Sequence, residues 1–459
     1  MTSATDPAAA TAAVRELDRR CVWHPFTQMR EWAAEPQLVI AAGEGHYLID
    51  TEGNRYLDGV SSLWCNLFGH RRPEIDTAVC DQLGRIAHST QLGCASVPAV
   101  ELAAKLVAAA PKGLTRVFYS DSGSEAVEIA LKMTYQYCRQ NGQGGRTRII
   151  AVTEAYHGDT LGAVSVGGID RFHATFKDLL FEAVRIHTPH CYRCPFGRRR
   201  GECGRECFHH ADAVFREWGG RACALVTEPG IQGAAGMLMF PDGFLAHLRE
   251  LCTGQGVFMI ADEVATGFGR TGLMWGCDHD KVTPDLMCVA KGLTGGYLPV
   301  AATLATEAVF NGFLGDYAEY RTFFHGHTFT GNQLGCAAGL ATLGIFEKDD
   351  IPAMVRRAGA ELAAALEPLR SHPHCGEIRL KGLMGGIELV RDHATGEPFA
   401  PALQTGARVC RVARSHGVLL RPLGDVIVLM PPLTITTEEI HQLVDAIHTS
   451  IDAVVRKAS

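Results

Sequence analysis

An acid and an amine occupy equivalent positions near the middle of the chain, each directly after a short apolar segment. Residues 257–261 precede Asp262, residues 286–290 precede Lys291, and glycine-rich chain follows both charged residues. Short apolar segments bounded by turn residues are typical of buried strands in a parallel sheet. Because ligands bind such sheets just beyond the carboxyl ends of the strands, we expect Asp262 and Lys291 to lie together in a pocket.

Together these two side chains suit pyridoxal phosphate as a cofactor. A lysine amine forms an imine bond with the aldehyde of this cofactor, and a carboxylate keeps its pyridine nitrogen protonated so that the ring accepts electrons. We therefore interpret Lys291 as the lysine that bonds the cofactor and Asp262 as the partner of the pyridine nitrogen, both of them catalytic. Taken singly, each residue would more often be a solvated charge at the end of a strand, so the interpretation depends on the pair.

The composition excludes several classes of function. The 459 residues include 43 basic and 50 acidic side chains, and the net charge of -7 is dispersed along the chain, which argues against a nucleic-acid partner. No apolar segment reaches the roughly 18 residues needed to span a bilayer, and no secretion signal precedes the 16 cysteines. We therefore expect a cytoplasmic protein with reduced thiols, no membrane partner, and a frayed helix or disordered tail at its N-terminus.

Three segments around the acid and the amine resemble the class III, fold type I aminotransferases, which depend on pyridoxal phosphate. They are DEVATGFGRTG from Asp262, AKGLTGGYLP around Lys291 and FFHGHTFTGN from Phe323. Four further segments resemble the biotin-synthesis branch of that class, namely WHPFTQM, DSGSEAVEIALKM, AYHGDTLGAVSVGG and LLRPLGDVIVLMPPL. The resemblance extends from about Trp23 to Pro432, which is nearly the whole chain.

The resemblance implies an α/β fold with a large cofactor domain, built on a mostly parallel seven-stranded sheet, and a small α/β domain. We expect residues 1–75 to form an N-terminal arm and part of the small domain, residues 76–345 to form the large domain, and residues 346–459 to form the rest of the small domain. The class further implies a homodimer whose active sites are shared between the two subunits.

The segment Ser122-Gly123-Ser124-Glu125 is predicted to open a helix directly after a strand. Ser122 and Glu125 have the spacing of a capping box, in which each side chain bonds the backbone of the other residue. A helix N-terminus also attracts phosphate, because its amides are unpaired and its dipole is positive there. A plain helix cap is the simpler interpretation of this segment alone. Beside the acid and the amine, we assign Gly123 and Ser124 to cofactor binding.

By resemblance, Tyr156 stacks on one face of the cofactor ring and takes part in catalysis, while Val264 covers the other face. Tyr156 directly follows a predicted strand, where an aromatic side chain would exclude water from the ring. Glu228 and Gln232 are expected near the ring hydroxyl and the substrate. His157 is expected to be structural, because no metal ligands accompany it.

The resemblance also implies residues that contact the substrate, namely Phe26, Leu63, Trp64, Tyr156, Lys291, Gly326 and Arg421. Arg421 is a fixed cation suited to the carboxylate of the amino acceptor, because a guanidinium binds a carboxylate through two parallel hydrogen bonds. His327 and Thr328 are expected to bind the cofactor, and Thr328 would reach the cofactor phosphate of the neighbouring subunit.

Two positions depart from the family's pattern and leave the amino donor open. Phe26 stands where the family commonly has tyrosine, and Leu63-Trp64 stands in place of its aromatic pair. The donor expected by resemblance is S-adenosylmethionine, with lysine or another amine as alternatives. A general ω-amino-acid:pyruvate transaminase is the alternative function. A carrier of pyridoxal phosphate without catalysis would not require Lys291 and Asp262 to share an open pocket.

A cysteine-rich segment interrupts the regular pattern between residues 187 and 210. Cys191 and Cys194 have CxxC spacing, and Cys203 and Cys207 have CxxxC spacing. Tetrahedral zinc accepts such ligands, but the second pair is spaced more loosely than in a zinc ribbon. We expect a cysteine-rich surface loop without a metal.

Overall fold

The structure, a computed structural model, describes residues 7–456 of the chain. Its strands, in chain order, are β1 (Ile40–Glu44), β2 (Tyr47–Asp50), β3 (Arg55–Asp58), β4 (Leu114–Ser120), β5 (Arg148–Val152), β6 (Val184–Ile186), β7 (Ala222–Thr227), β8 (Ile231–Gln232), β9 (Leu238–Met239), β10 (Phe258–Asp262), β11 (Leu286–Val289), β12 (Ala301–Thr306), β13 (Cys375–Lys381), β14 (Met384–Leu389), β15 (Val418–Leu419), β16 (Pro422–Leu423) and β17 (Val426–Leu429).

The α-helices of the same residues are α1 (Pro7–Cys21), α2 (Met29–Ala34), α3 (Ser61–Trp64), α4 (Pro73–Leu83), α5 (Val97–Ala109), α6 (Gly123–Gln140), α7 (Leu161–Val166), α8 (Asp170–His173), α9 (Glu206–Trp218), α10 (Phe244–Gln255), α11 (Glu307–Asn311), α12 (Gln333–Lys348), α13 (Ile351–Leu366), α14 (Thr405–Arg414) and α15 (Thr437–Val455). The segment α3 is a kinked turn, since Ser62 and Leu63 have non-helical backbone angles.

The central sheet has seven strands in the order β4-β12-β11-β10-β7-β5-β6. All neighbours pair in parallel except at β12, which runs antiparallel to both β11 and β4. Helix α6 packs on one face of this sheet, and helices α9 and α10 pack on the other. Strands β7 and β11 are buried along their whole length, because helices cover both faces. The expected mostly parallel sheet of an α/β fold is confirmed.

Two smaller sheets lie outside the central one, and the first of them combines residues from the N-terminal and C-terminal parts of the chain. One has the order β1-β2-β3-β15, in which β15 pairs in parallel with β3, and the other has the order β13-β14-β17-β16. Helices α13, α14 and α15 supply much of the apolar core beside these sheets. The proposed domain boundaries after residues 75 and 345 stay a prediction.

The regular elements follow the sequence pattern closely, with one correction in the N-terminal part. The alternation over residues 38–56 predicts one antiparallel hairpin, whereas the structure has three strands there. Gly45, with a φ of 54°, adds a second turn between β1 and β2, and the predicted turn at residues 52–54 joins β2 to β3. The sequence predicts a frayed helix or disordered tail at the N-terminus. Residues 7–21 of this segment form helix α1, and residues 1–6 lie outside the described part.

Three cysteines of the cysteine-rich segment, Cys191, Cys194 and Cys203, lie between β6 and α9 in chain without helix or strand, and Cys207 lies in the first turn of α9. Its four cysteines are free thiols, and the clusters of possible metal ligands found within residues 7–456 contain no cysteine. Arg193 fixes this segment to β14, since its Nε donates to Glu388 at 2.7 Å. Whether the segment binds a metal stays a prediction. None of the helices in the described part of the chain is long and apolar enough to cross a membrane.

Candidate active site

The acid and the amine lie at the carboxyl edge of the central sheet. Asp262 is the last residue of β10 and pairs in register with Cys288 of β11, and Lys291 comes two residues after the end of β11. Both residues line one cavity. Lys291 adopts a positive φ of 45°, a backbone conformation that is strained for a lysine and that clusters at active sites. The strand ends therefore bring the two side chains into one pocket, as the sequence predicts.

The Asp262 carboxylate is buried and held on both of its oxygens. The Nδ1 atom of His157 lies 2.7 Å from Oδ2, and the backbone N–H of Val264 donates to Oδ1 at 3.1 Å. The His157 side chain is fully buried, and its Nε2 has no partner within the described residues. His157 therefore orients the acid, a role that sequence reasoning missed. Its position at the end of a strand of the same sheet is the signal that could have indicated it.

Tyr156 is fixed at its backbone and at its hydroxyl. Its N–H donates to Glu228 Oε2 at 3.2 Å, and its hydroxyl donates to Asp159 Oδ2 at 2.7 Å. Behind it, the ring of His173 lies nearly parallel, at an angle of 14° and a centroid distance of 6.3 Å. Burial raises the pKa of the Tyr156 phenol, so the hydroxyl keeps its proton near neutral pH. The ring is thus a fixed neutral wall of the cavity.

Burial is the main cause of the pKa shifts of Lys291 and of the neighbouring Glu228. It lowers the pKa of the Lys291 amine, while the nearby carboxylates of Asp262 and Glu228 act in the opposite direction. Burial also raises the pKa of Glu228 to about 7, although its oxygens accept the backbone N–H groups of Tyr156 and Gly233. An amine with a lowered pKa is a competent proton acceptor near neutral pH.

Helix α6 points its N-terminus at the same cavity, which Gly123 and Ser124 line. The predicted capping box is present: the Glu125 N–H donates to Ser122 Oγ, and the Ser122 N–H donates to Glu125 Oε2. Ser124 Oγ accepts the Thr160 N–H at 3.0 Å, which joins the helix to the loop after β5. The first amides of the helix remain available to an anion.

The cavity has a volume of about 720 Å³. Its walls include Trp64, Tyr156, Glu228, Asp262, Val264 and Lys291. The Lys291 Nζ lies 5.1 Å from the centroid of the Trp64 ring. Gln232, in contrast, does not line the cavity, because its Nε2 donates to the Thr153 carbonyl at 2.7 Å and its Oε1 accepts from Thr188.

Three of the residues predicted to contact substrate lie outside the lining of this cavity. The Arg421 guanidinium lies 5.9 Å from the centroid of the Phe26 ring, and Phe26 and Leu63 are 58% and 48% exposed. Burial lowers the pKa of Arg421, and no carboxylate within residues 7–456 forms an ion pair with it. Arg421 is therefore a half-buried cation beside the cavity, without an acidic partner in the described chain.

The loop with Gly326, His327 and Thr328 also lies outside the cavity of its own chain. His327 Nε2 is 3.8 Å from Glu125 Oε2, and the Thr328 side chain is exposed while its carbonyl accepts from His88 Nε2 at 2.9 Å. The loop thus lies on the surface near the start of α6. The predicted role of Thr328 in a neighbouring subunit stays a prediction.

The groups around the cavity fit pyridoxal phosphate. The amides at the start of α6 suit a phosphate, the Asp262 carboxylate suits a pyridine nitrogen, and the Lys291 amine suits an aldehyde. A Cβ atom at position 123 would lie 2.7 Å from the Val264 side chain, so glycine is needed where the helix meets this wall. A residue without a side chain therefore lets the start of α6 approach Val264 at the cavity wall.

Comparisons with known proteins agree with this geometry. The family model for class III aminotransferases matches residues 29–451. The chain is 55% identical over 98% of its length, and 84% of the relative's length, to adenosylmethionine-8-amino-7-oxononanoate aminotransferase of Nitratidesulfovibrio vulgaris. It is 52% identical to the protein of that name in Geobacter sulfurreducens, with 97% and 98% of the two chains covered.

A solved structure gives the same result. The crystal structure of adenosylmethionine-8-amino-7-oxononanoate aminotransferase from Methanocaldococcus jannaschii has a TM-score of 0.92 and 46% sequence identity, with 96% of this chain and 99% of that chain covered. The similarity therefore covers nearly the whole chain. The chain therefore belongs to the class III aminotransferases, whose cofactor is pyridoxal phosphate.

Proposed function

We propose that the chain transfers an amino group to 8-amino-7-oxononanoate, giving 7,8-diaminononanoate, a step of biotin synthesis. The names of the relatives support this acceptor, and the position of Arg421 is the observation that carries it. A long-chain keto acid with a terminal carboxylate needs its ketone at Lys291 and a cation several carbons away. Arg421 is such a cation, since it lies beside the cavity without an acidic partner in the described residues.

Bound pyridoxal phosphate supplies an aldehyde that accepts the amino group and a ring that withdraws electrons from the carbon that loses a proton. Lys291 Nζ would take that proton and return it to the cofactor's aldehyde carbon, on the other side of the transferred nitrogen, and its lowered pKa favours the neutral amine that this transfer requires. Asp262, oriented by His157, places a negative charge where the ring nitrogen must stay protonated. Tyr156 and Val264 hold the plane of the ring and exclude water.

The active enzyme is proposed to be a homodimer that shares its sites. Several large apolar side chains around the loop are exposed in the single chain: Leu92, Tyr317, Tyr320, Phe324 and Phe329. Exposed apolar surface of this kind is typical of an interface between proteins. In this arrangement Thr328 and His327 bind the cofactor of the partner subunit, and Gly326 adjoins its substrate.

The amino donor is proposed to be S-adenosylmethionine, as in the names of the relatives. Phe26 and Leu63 present carbon surface at the entrance, where a hydroxyl and a second aromatic ring are common in the family. Lysine and other amines are the alternative donors. We also propose a cytoplasmic location, with which the amino-acid composition of the chain agrees.

The decisive experiment is a panel of amino donors tested with 8-amino-7-oxononanoate as the acceptor. Purified holoenzyme is incubated with S-adenosylmethionine, lysine or an ω-amino acid, and 7,8-diaminononanoate is measured by mass spectrometry. Product from S-adenosylmethionine supports the proposal in full, and product from lysine alone corrects the donor. Turnover of ω-amino acids with pyruvate, without any 7,8-diaminononanoate, would replace the proposal by a general ω-amino-acid:pyruvate transaminase.

A further inference from the structure

The turn Ser61–Trp64 forms part of the cavity wall and has a strained backbone. Ser61, Ser62 and Trp64 have positive φ angles of 49°, 60° and 66°. Ser62, with a ψ of -79°, has the angles of a γ-turn that is rare for residues with a side chain. Such conformations persist only where the surrounding structure imposes them, and they cluster at binding sites.

Asp58, the last residue of β3, imposes this conformation. Its carboxylate is fully buried, and its two oxygens accept the Ser62 N–H at 2.8 and 2.7 Å. Oδ2 also accepts the Ser62 hydroxyl at 3.0 Å and lies 3.2 Å from His70 Nε2. A single carboxylate therefore accepts both the N–H, shared between its two oxygens, and the hydroxyl of the strained residue, and bonds to a charged acceptor are among the strongest in proteins.

The strained turn decides which side chain faces the reacting groups. Leu63 points outward, whereas the neighbouring Trp64 is 8% exposed and its ring lies 5.1 Å from Lys291 Nζ. The Nε1–H of Trp64 is buried and has no hydrogen-bond partner within the described residues. A buried donor at a cavity wall is costly unless a ligand accepts its hydrogen bond. The indole ring therefore forms the part of the cavity wall that lies beside Lys291.

We propose that Asp58 is a positioning residue for the amino acceptor: it holds the Ser61–Trp64 turn so that the Trp64 ring lines the cavity beside Lys291, where the substrate would bind. The inference rests on the proposed function, because the acceptor is the molecule that would meet this wall. Asp58 itself contacts neither the cavity nor Lys291, so its effect on the substrate passes through Ser62 and Trp64.

Asp50 provides a matched control on the adjacent strand. It is buried at the end of β2, and its Oδ1 accepts the N–H groups of Glu52 at 2.9 Å and Asn54 at 2.8 Å. It therefore holds a turn by the same chemistry as Asp58, in the same sheet, but away from the cavity. Asp50→Asn and Asp58→Asn both put an amide in place of a carboxylate beside backbone N–H groups.

The test compares the two variants as holoenzymes with 8-amino-7-oxononanoate. We expect both to lower the unfolding temperature, while only Asp58→Asn raises the KM of the acceptor, by about tenfold. The kcat should stay within about twofold of wild type, because Lys291 and Asp262 are unchanged. Adding Ser62→Gly to Asp58→Asn should restore much of the KM, since glycine adopts a positive φ without strain.

A second readout does not depend on turnover. The fluorescence of Trp64 is obtained in each holoenzyme as the difference from its Trp64→Phe variant, and its quenching by acrylamide reports exposure of the indole. We expect quenching to increase in Asp58→Asn and to stay at the wild-type value in Asp50→Asn. Ser62→Ala, which removes only the hydroxyl bond, serves where Asp58→Asn does not accumulate, with an expected KM increase of about threefold.

Equal KM values and equal Trp64 quenching in the Asp58 and Asp50 variants would overturn the inference and leave Asp58 a structural residue. For Ser62→Ala, an unchanged KM together with unchanged quenching would have the same meaning. A wild-type enzyme that does not aminate 8-amino-7-oxononanoate would overturn the proposed function instead. In that case the quenching comparison still decides whether Asp58 positions Trp64.

Discussion

The two sides of the cavity differ in how far the chain alone satisfies their polar groups. On the sheet side, Asp262, Tyr156 and Glu228 are all hydrogen-bonded within the chain. On the entrance side, Arg421 lacks an acidic partner among residues 7–456, and Thr328 is exposed. The difference indicates that one chain orients the side chains beside the cofactor ring, whereas the entrance side presents polar groups that the substrate and the proposed second subunit would satisfy.

The largest effect is expected on the sheet side, from Lys291→Ala. Without its Nζ the enzyme lacks both the cofactor-bonding amine and the proton carrier, so turnover should fall more than a hundredfold while the fold survives. The measurement is the rate of 7,8-diaminononanoate formation together with the unfolding temperature. Lys281→Ala is the control, since Lys281 also has a positive φ but is exposed. More than about a hundredth of the wild-type activity in Lys291→Ala would contradict the assigned role.

On the entrance side, Arg421→Ala should weaken the acceptor selectively. Loss of the ion pair with the acceptor's carboxylate should cost about 2–5 kcal/mol and appear as a higher KM. The half reaction with a donor that lacks this distal carboxylate should change little, which single-turnover absorbance measurements of the cofactor can check. Arg411→Ala, which breaks a surface pair with Glu35, is the control. Equal damage to both half reactions would mean that Arg421 is structural and would remove the contrast between the two sides.

Glu228 tests whether burial on the sheet side raises the pKa of a carboxyl and so makes the free energy of unfolding depend on pH. Its pKa of about 7 lies above the ordinary 4.5, so the folded protein binds more protons than the unfolded chain between these values. The free energy of unfolding should therefore fall as the pH rises from 4.5 to 7, by roughly 3 kcal/mol from this group. Glu228→Gln should remove this part of the fall in urea unfolding curves, whereas Glu250→Gln, at an exposed position, should not. Identical pH profiles for wild type and Glu228→Gln would contradict the raised pKa.

The smallest effect is expected from Thr328→Val. If the hydroxyl reaches the phosphate in the partner subunit, its loss should weaken cofactor binding by about tenfold without dissociating the dimer. Equilibrium binding of pyridoxal phosphate and analytical ultracentrifugation measure the two quantities. Thr322→Val, on an exposed residue nearby, is the control. A fully active monomer would end the model of shared sites.

The sequence predicts the sheet side of the cavity better than the entrance side. Asp262 and Lys291 were identifiable because a charged residue that follows a buried apolar strand lies at the carboxyl edge of the sheet. The Ser122–Glu125 capping box was identifiable because its hydrogen bonds are local in sequence. Local rules therefore suffice where the chemistry follows directly from a strand end or a helix start.

The contacts that escaped prediction are long-range. His157 contacts Asp262 across 105 positions of sequence, so its place after a strand of the same sheet is a signal only once the order of the strands is known. Gln232 turned toward Thr153 and Thr188 because a buried amide bonds the nearest free polar groups, which belong to other strand ends. Asp58 was missed for a different reason, since the strain that it holds at Ser62 is visible only in backbone angles.

The pairing of β3 with β15 also constrains how the protein is made. Strand β3 leaves the ribosome early, yet its partner Val418–Leu419 is synthesised about 360 residues later, and contacts of such separation form slowly. Until then one edge of β3, next to Asp58, stays open to pairing with other chains. The entrance side of the active site is thus among the last parts of the nascent protein to be assembled, and a chain stopped before residue 418 would carry an aggregation-prone edge in its place.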